Sequence, residues 1–244
     1  METLPDLVSR DRRTDDIALV RSDPTAQPYT YHRFCTQSWK ASNVLRHLGV
    51  RDGTTVGVPG DRAVQPLLAI IGVSLLGGVV RLDPPQSLDA RAVVAHVDDV
   101  ESYELPDGGQ RAGYGGDPVS PATYHFEQEL WSENPTRVPR EYDPGSPVLD
   151  DGARQYSHSG LLSAADEVVD ELGLRGDDRV RIRGRFDDPR TVAAGVLAPL
   201  SVGGTIVLDD DATVDATVVG PNVTADSTAD RVLSVAAVDL EPLR

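Results

Sequence analysis

Lysine is almost missing from this sequence: Lys40 is the single one among 23 basic residues, and all the rest are arginine. Cysteine is as scarce. Cys35 stands alone, which excludes an internal disulfide framework and any multi-cysteine metal site, and its helical spacing from Trp39 reads as a buried core thiol. The five histidines, at 32, 47, 96, 125 and 158, include no two at metal-ligand helical spacing, so no metal site is expected. No apolar run is long enough to cross a bilayer, and residues 1–13 are charged, so neither a membrane span nor a secretory signal is read. A cytoplasmic location is the expectation. Gly-x-Ser-x-Gly is missing, which disfavours an α/β-hydrolase, and no Gly-x-Gly-x-x-Gly follows a strand, which leaves a dinucleotide site without a motif.

Acid is what the chain has in excess. Asp and Glu number 39 and the net charge is −16, so the surface repels nucleic acid and anionic lipid, and at low ionic strength it repels itself. The lysine shortage, the scattered aspartates and an aromatic content of 5% together resemble proteins of extreme halophiles, and a salt-rich cytoplasm is the expected setting. With 244 residues, 39% of them hydrophobic, the chain can bury a core as one large domain or two lobes.

The hydrophobic pattern repeats. Phe34, Ala41, Leu45 and Leu48 fall on one helical face; Thr55 to Val58 reads as a strand, Ala63 to Leu76 as a helix and Val79 to Leu82 as a second strand. The same grammar returns with Leu161 to Leu172 as helix, Arg179 to Ile182 as strand, Thr191 to Val202 as helix and Thr205 to Leu208 as strand. Even the turns correspond: Leu48-Gly49-Val50-Arg51 matches Leu172-Gly173-Leu174-Arg175, and Gly77-Gly78 matches Gly203-Gly204, where glycine can end a helix. The expected fold class is α/β, two similar sublobes with mainly parallel sheets flanked by helices. Between the halves, Asp107 to Pro121 carries five glycines and two prolines and reads as an exposed loop. The expected division is a first sublobe over 1–106, a linker with a degraded loop over 107–150, and a second sublobe over 151–244.

Smaller constellations carry little chemistry. His125-Phe126-Glu127 has the His-x-Glu of zinc deaminases, but the Pro-Cys-x-x-Cys such a site needs is missing, so it reads as a helix turn at the surface. Asp209-Asp210-Asp211 reads as solvated surface after a strand. Asn222-Val223-Thr224 fits the glycosylation acceptor pattern, which matters only in an exported protein.

One resemblance organises these elements. Tyr29-Thr30-Tyr31, then Leu48 to Gly53, then Gly72-Val73-Ser74-Leu75-Leu76-Gly77-Gly78-Val79-Val80 resemble the start of the adenylate-forming (AMP-binding, acyl-CoA synthetase) superfamily. Tyr156-Ser157-His158-Ser159-Gly160-Leu161-Leu162 resembles the segment that follows the family's phosphate loop. The resemblance implies two α/β lobes and a loop rich in Ser, Thr and Gly that closes with Pro-Lys-Gly, where N–H groups and a lysine hold triphosphate. This chain instead has Asp143-Pro144-Gly145-Ser146-Pro147-Val148-Leu149-Asp150-Asp151-Gly152-Ala153-Arg154. By the resemblance, the candidate nucleotide-contacting residues are Ser146, Gly152, Arg154, Ser157 and His158. The residues themselves read more simply, with Ser157 as a helix N-cap and His158 on a solvated first turn. No catalytic residue is assigned.

Three functions are compatible with this reading. The first is a non-catalytic acyl-CoA synthetase-like protein with a binding or scaffold role, taking an acyl or nucleotide ligand or a protein partner and needing no cofactor. The second is an ATP-dependent acyl-CoA ligase that uses ATP and Mg and works with a partner chain. The third is an unrelated α/β binding module.

Overall fold

The computed structural model describes residues 1–21, 23, 25–137, 139–221, 223 and 231–243. A buried 3₁₀ turn, Leu4–Val8, leads into β1 (Ile17–Val20), β2 (Tyr29–Thr30) and the long helix α1 (Tyr31–His47). There follow β3 (Thr55–Val58), α2 (Val64–Ser74), β4 (Val79–Leu82), β5 (Ala92–His96), β6 (Gln110–Tyr114), β7 (Thr123–His125) and α3 (Phe126–Ser132). The second part comprises β8 (Pro147–Asp150), β9 (Gln155–Ser157), α4 (His158–Leu172), β10 (Arg179–Arg183), α5 (Pro189–Val192), α6 (Ala198–Val202), β11 (Thr205–Val207), β12 (Ala216–Val219) and β13 (Arg231–Ser234). The sequon at 222–224 lies outside the described residues, apart from Val223.

Among the described residues these strands form two sheets, in the orders β7-β6-β5-β3-β4-β8-β9 and β13-β12-β10-β11-β1-β2. Every neighbour is parallel except β8 with β9 and β1 with β2. The expected mainly parallel α/β architecture is therefore the observed one. The repeat extends to the register. Val56 of β3 lies between Val80 and Ala92, and Val180 of β10 lies between Ile206 and Ala216, so β3, β4 and β5 correspond residue by residue to β10, β11 and β12.

The hairpins correspond too, with an exchange. In β1–β2, Ile17 faces Thr30 and Leu19 faces Tyr29 across a shift; in β8–β9, Pro147 faces Ser157 and Leu149 faces Tyr156 across the same shift. Each hairpin runs into the first helix of its own half, yet pairs with the sheet of the other: β1 on β11, β8 on β4. The sheets thus hold one another's edges, and one hydrophobic core runs through both, from Leu4 and Phe34 to Leu161 and Leu233.

Local chemistry explains the individual elements. Thr30 caps α1 by accepting the Arg33 N–H at 3.1 Å, and Ser157 caps α4 by accepting the Gly160 N–H at 3.1 Å. The matched glycines end their helices with positive φ, +87° at Gly49 and +58° at Gly173, as the shared turn sequence implies. Helix α2 is apolar all round apart from Gln65 and Ser74, whose hydroxyl donates back to the Ile71 carbonyl, and is buried accordingly. Between α5 and α6 the helix widens into a π turn over Ala193–Leu197. Pro199 has no N–H to return to the Gly195 carbonyl and its ring crowds that carbonyl, which forces the wider turn.

The segment expected as a linker needs correction. Gln110–Tyr114 is a strand held between β5 and β7, and 107–150 as a whole supplies β6, β7, α3 and β8 to the first sheet. Its glycines lowered the apparent strand propensity, but two flanking ladders and the burial of Ala112, Gly113 and Tyr114 outweigh that. The exposed turns lie on both sides of it, at Asp107 and Gly108 before the strand and at Gly115 to Asp117, Val119 and Pro121 after it.

Candidate functional site

The residues singled out for nucleotide contact do gather in one place, around the turn from β8 into β9 and the start of α4. The turn is tight, because Asp150 already faces Gln155 in the ladder. Gly152 at its tip has φ +92°, and a Cβ there would run into the Arg81 guanidinium, so this position accepts glycine alone without strain. Arg81, on the neighbouring strand β4, forms an ion pair with Asp150 at 3.2 Å.

The backbone N–H groups of this turn point at the protein's own carboxylates. Asp150 Oδ1 accepts from the Gly152 N–H at 2.6 Å, and Asp151 Oδ1 accepts from the Ala153 and Arg154 N–H groups at 2.8 Å each. The Tyr156 hydroxyl donates to Asp151 Oδ2 at 2.8 Å. Burial alone would push the Asp151 carboxyl up, but these donors outweigh it and hold the group below the ordinary aspartate range; Tyr156 is pushed up to about 12 by burial and by the same aspartate. In effect the two carboxylates occupy the N–H donors that a phosphate loop would offer to an anion.

The other candidates take structural places. Ser146 donates its N–H to the Asp143 carbonyl at 3.0 Å and accepts the His158 N–H at 3.3 Å. Arg154 is exposed at the mouth of a cleft of about 650 Å³ that also takes in Asp151, Tyr156, Asp188, Arg190 and Asp239. Ser157 is the N-cap, as its own chemistry implied.

His158 is a correction. It is buried rather than on a solvated turn, and its Nδ1 accepts the Leu4 N–H at 3.3 Å. No local signal points to this, because the partner arrives from the N-terminal segment, where Leu4, Leu7 and Val8 are fully buried. Burial holds the imidazole down at about 4, with Asp6 and Asp143 opposing. Lys40 lies away from the hairpin, its Nζ donating to the Trp131 carbonyl at 3.4 Å. Cys35 is buried, and burial pushes its thiol up to about 11, so it is inert at neutral pH. His125 stands at the N-cap position of α3 without a capping hydrogen bond and lies 3.4 Å from each of Asp117 and Glu127, and among the described residues no His, Cys, Asp and Glu cluster is arranged to hold a metal.

A second polar cluster, which motif reading missed, joins the two lobes at the carboxyl ends of their strands. Asp61, after β3, forms an ion pair with Arg185, after β10, at 3.1 Å, and accepts the Tyr114 hydroxyl at 2.6 Å. Arg62 crosses to the Leu208 carbonyl at 2.6 Å and to Asp210 at 2.7 Å. The Phe186 N–H donates to the Gly60 carbonyl at 2.7 Å. The available signal was the alternation Arg179-x-Arg181-x-Arg183-x-Arg185, which a period-2 scan for charge would have flagged.

Two mainly parallel sheets flanked by helices match the N-terminal domain fold of acyl-CoA synthetase-like proteins. An anthranilate CoA ligase in complex with anthranoyl-AMP superposes with a TM-score of 0.76 at 18% identity, over 90% of this chain and 50% of that one. MbtA from Mycobacterium smegmatis gives 0.73 at 21% identity, over 90% and 48%. A benzoate CoA ligase from Burkholderia xenovorans LB400 gives 0.71 at 16% identity, over 90% and 50%. The chain therefore spans about half the length of these structures. No family model and no curated protein matches the sequence. At such identities the likeness establishes the fold.

Proposed function

We propose that this chain is an acyl-CoA synthetase-like protein that binds without adenylating, in a ligand-binding or scaffold role. One observation carries the reading: Asp150 and Asp151 take up the N–H groups of the β8–β9 turn. Adenylation needs charge neutralised at the α-phosphate while a carboxylate attacks and pyrophosphate leaves. Here a triphosphate would meet two carboxylates, Pro144 and Pro147 lacking N–H donors, and no lysine on the loop. The residues of this turn do not fit ATP with Mg, and no cofactor is assigned. Arg154 offers a cation at the cleft, but a guanidinium does not replace an ammonium at a tight phosphate site.

A ligase reading, with further chain or a partner completing the site, draws support from the retained geometry of hairpin, Ser157 cap and α4. ATP/pyrophosphate exchange with short, medium and aromatic carboxylates in molar KCl separates the two. Background exchange is expected, together with silent calorimetric titrations of ATP and of an acyl-adenylate analogue. Clear exchange that disappears in Arg154→Gln would establish an arginine-based phosphate site and put the ligase reading first. The acidic, lysine-poor surface suits a salt-rich cytoplasm, and among the described residues no helix is long and apolar enough to cross a membrane.

A further inference from the structure

Residues 1–13 touch both lobes without belonging to either sheet. Two 3₁₀ turns, Leu4–Val8 and Arg10–Arg12, make up most of the segment, and its backbone hydrogen bonds stay inside it: the Asp6 N–H donates to the Thr3 carbonyl at 3.0 Å, Ser9 to Asp6 at 3.2 Å, Arg12 to Ser9 at 3.2 Å and Arg13 to Arg10 at 3.4 Å. The first backbone bond to the body of the molecule comes after it, where the His32 N–H donates to the Thr14 carbonyl at 2.8 Å. Among the described residues, every polar tie from this segment to the rest of the protein therefore runs through a side chain.

Those ties reach both lobes. On α1 the Trp39 indole N–H donates to the Val8 carbonyl at 2.9 Å, and His32 meets the Arg13 guanidinium. In the second lobe His158 Nδ1, at the start of α4, accepts the Leu4 N–H at 3.3 Å, and Arg12 donates to the Leu200 and Ser201 carbonyls of α6. Leu4, Leu7 and Val8 are fully buried, and their turn packs on α1 and α2. A segment with buried side chains and no ladder bonds can leave its bed without breaking a sheet, and such units open at a lower free energy than the core.

One tie is a latch. The neutral His158 ring presents the Nδ1 lone pair to Leu4, and a proton on Nδ1 would set N–H against N–H. The charged groups facing the ring are Asp6 of the segment and Asp143 ahead of β8, and Asp6 is already held by the Glu2 and Thr3 N–H groups at 3.0 and 2.9 Å. Burial of the closed ring opposes protonation more than these carboxylates favour it, so a proton favours the open state. His32 is the other titratable tie, and it is exposed.

We propose that residues 1–13 form a clasp across the two lobes that opens as a unit about Thr14, with His158 as its latch, and uncovers the α1 and α2 surface beneath Leu4, Leu7 and Val8 while both sheets stay formed. The sign follows from the ring. Closed, it titrates at about 4; open, it regains the ordinary 6.5, so opening is constant above about 6.5 and grows as pH falls towards 4, by roughly thirtyfold between pH 7.5 and 5.

Hydrogen exchange of the full chain tests this, read by peptide mass spectrometry from pH 7.5 to 5 at one KCl concentration and divided by the intrinsic rate of each amide. The peptide over residues 2–9 should be less protected than that over residues 67–73 of α2 at every pH, by roughly tenfold or more, because the clasp opens without the core. Its protection should fall roughly thirtyfold from pH 7.5 to 5. In His158→Gln, whose side chain accepts the Leu4 N–H at any pH, that fall should vanish, whereas His32→Gln should keep it. Trp39→Phe removes the tie at Val8 and should lower clasp protection roughly fivefold at every pH with the same pH response, a result that does not depend on His158→Gln folding. Equal protection of the two peptides throughout would mean that only global unfolding frees the segment, and it would overturn the proposal. So would a fall that survives His158→Gln, or a clasp indifferent to Trp39→Phe.

Discussion

Neutral and buried at the start of α4, His158 accepts the Leu4 N–H and so holds the N-terminal segment against the second lobe. Its folded value of about 4 lies below the ordinary 6.5, so the unfolded chain takes up the proton first. Stability from this group is complete above about 6.5 and is lost as pH falls through 6.5 towards 4, by at most about 3 kcal/mol. Urea midpoints measured between pH 7.5 and 4.5 should drop for the native chain, and the drop should be shallower in His158→Gln. An equal drop in both would remove His158 as the cause. At Gly152 the argument is steric. Gly152→Ala places a Cβ in the Arg81 guanidinium and an alanine at φ +92°, at a cost of about 1–3 kcal/mol, readable by denaturant unfolding.

The two hairpins and the helices they feed are the elements in which structure and proposed function meet. Thr30 and Ser157 occupy the same place in the repeat and make the same 3.1 Å cap bond. Thr30→Ala and Ser157→Ala should therefore each cost about 1 kcal/mol, and thermal unfolding of the two variants should shift by similar amounts. A cap that carried a ligand in the native protein would instead show its loss in ligand titrations. The turn between β8 and β9 is specialised by two side chains. Replacing both carboxylates, Asp150→Ser with Asp151→Ser, releases the Gly152, Ala153 and Arg154 N–H groups, and calorimetry should then detect ATP where the native chain gives no heat. A silent double variant that remains folded would mean that the turn's shape, more than its carboxylates, excludes phosphate.

At the scale of the whole molecule, charge and topology act together. The net charge of −16 is spread over two lobes that share a core and exchange hairpins, so repulsion between them opposes a contact that the chain connectivity cannot avoid. Screening should relieve this, since the Debye length falls from about 10 Å at 0.1 M to about 3 Å at 1 M salt. Thermal midpoints are expected to rise substantially from dilute buffer to molar KCl. A flat or falling midpoint would show that hydrophobic packing overrides the surface charge and would remove the ground for a halophilic setting.

The sequence by itself determined the elements whose causes are local. Apolar runs at helical and strand spacing set α1, α2, β3, β4, α4, β10 and β11, and the paired Leu-Gly turns announced the repeat, because 3.6-residue and 2-residue periods and positive-φ glycines are properties of short segments. Ser157 could be read as a cap for the same reason. Tertiary structure decided the rest. The strand at Gln110–Tyr114 exists because β5 and β7 flank it, against its own glycine content. The exchange of hairpins between sheets has no signature in the chain, since an edge strand is the same sequence whichever sheet it joins. His158 lost its solvent to a segment more than 150 residues away, and Asp61, Arg62, Arg185 and Asp210 met only when two lobes closed on one core. Contacts between distant segments depend on how faces pack, and packing is decided by the complementarity of whole surfaces, which no local window of sequence contains.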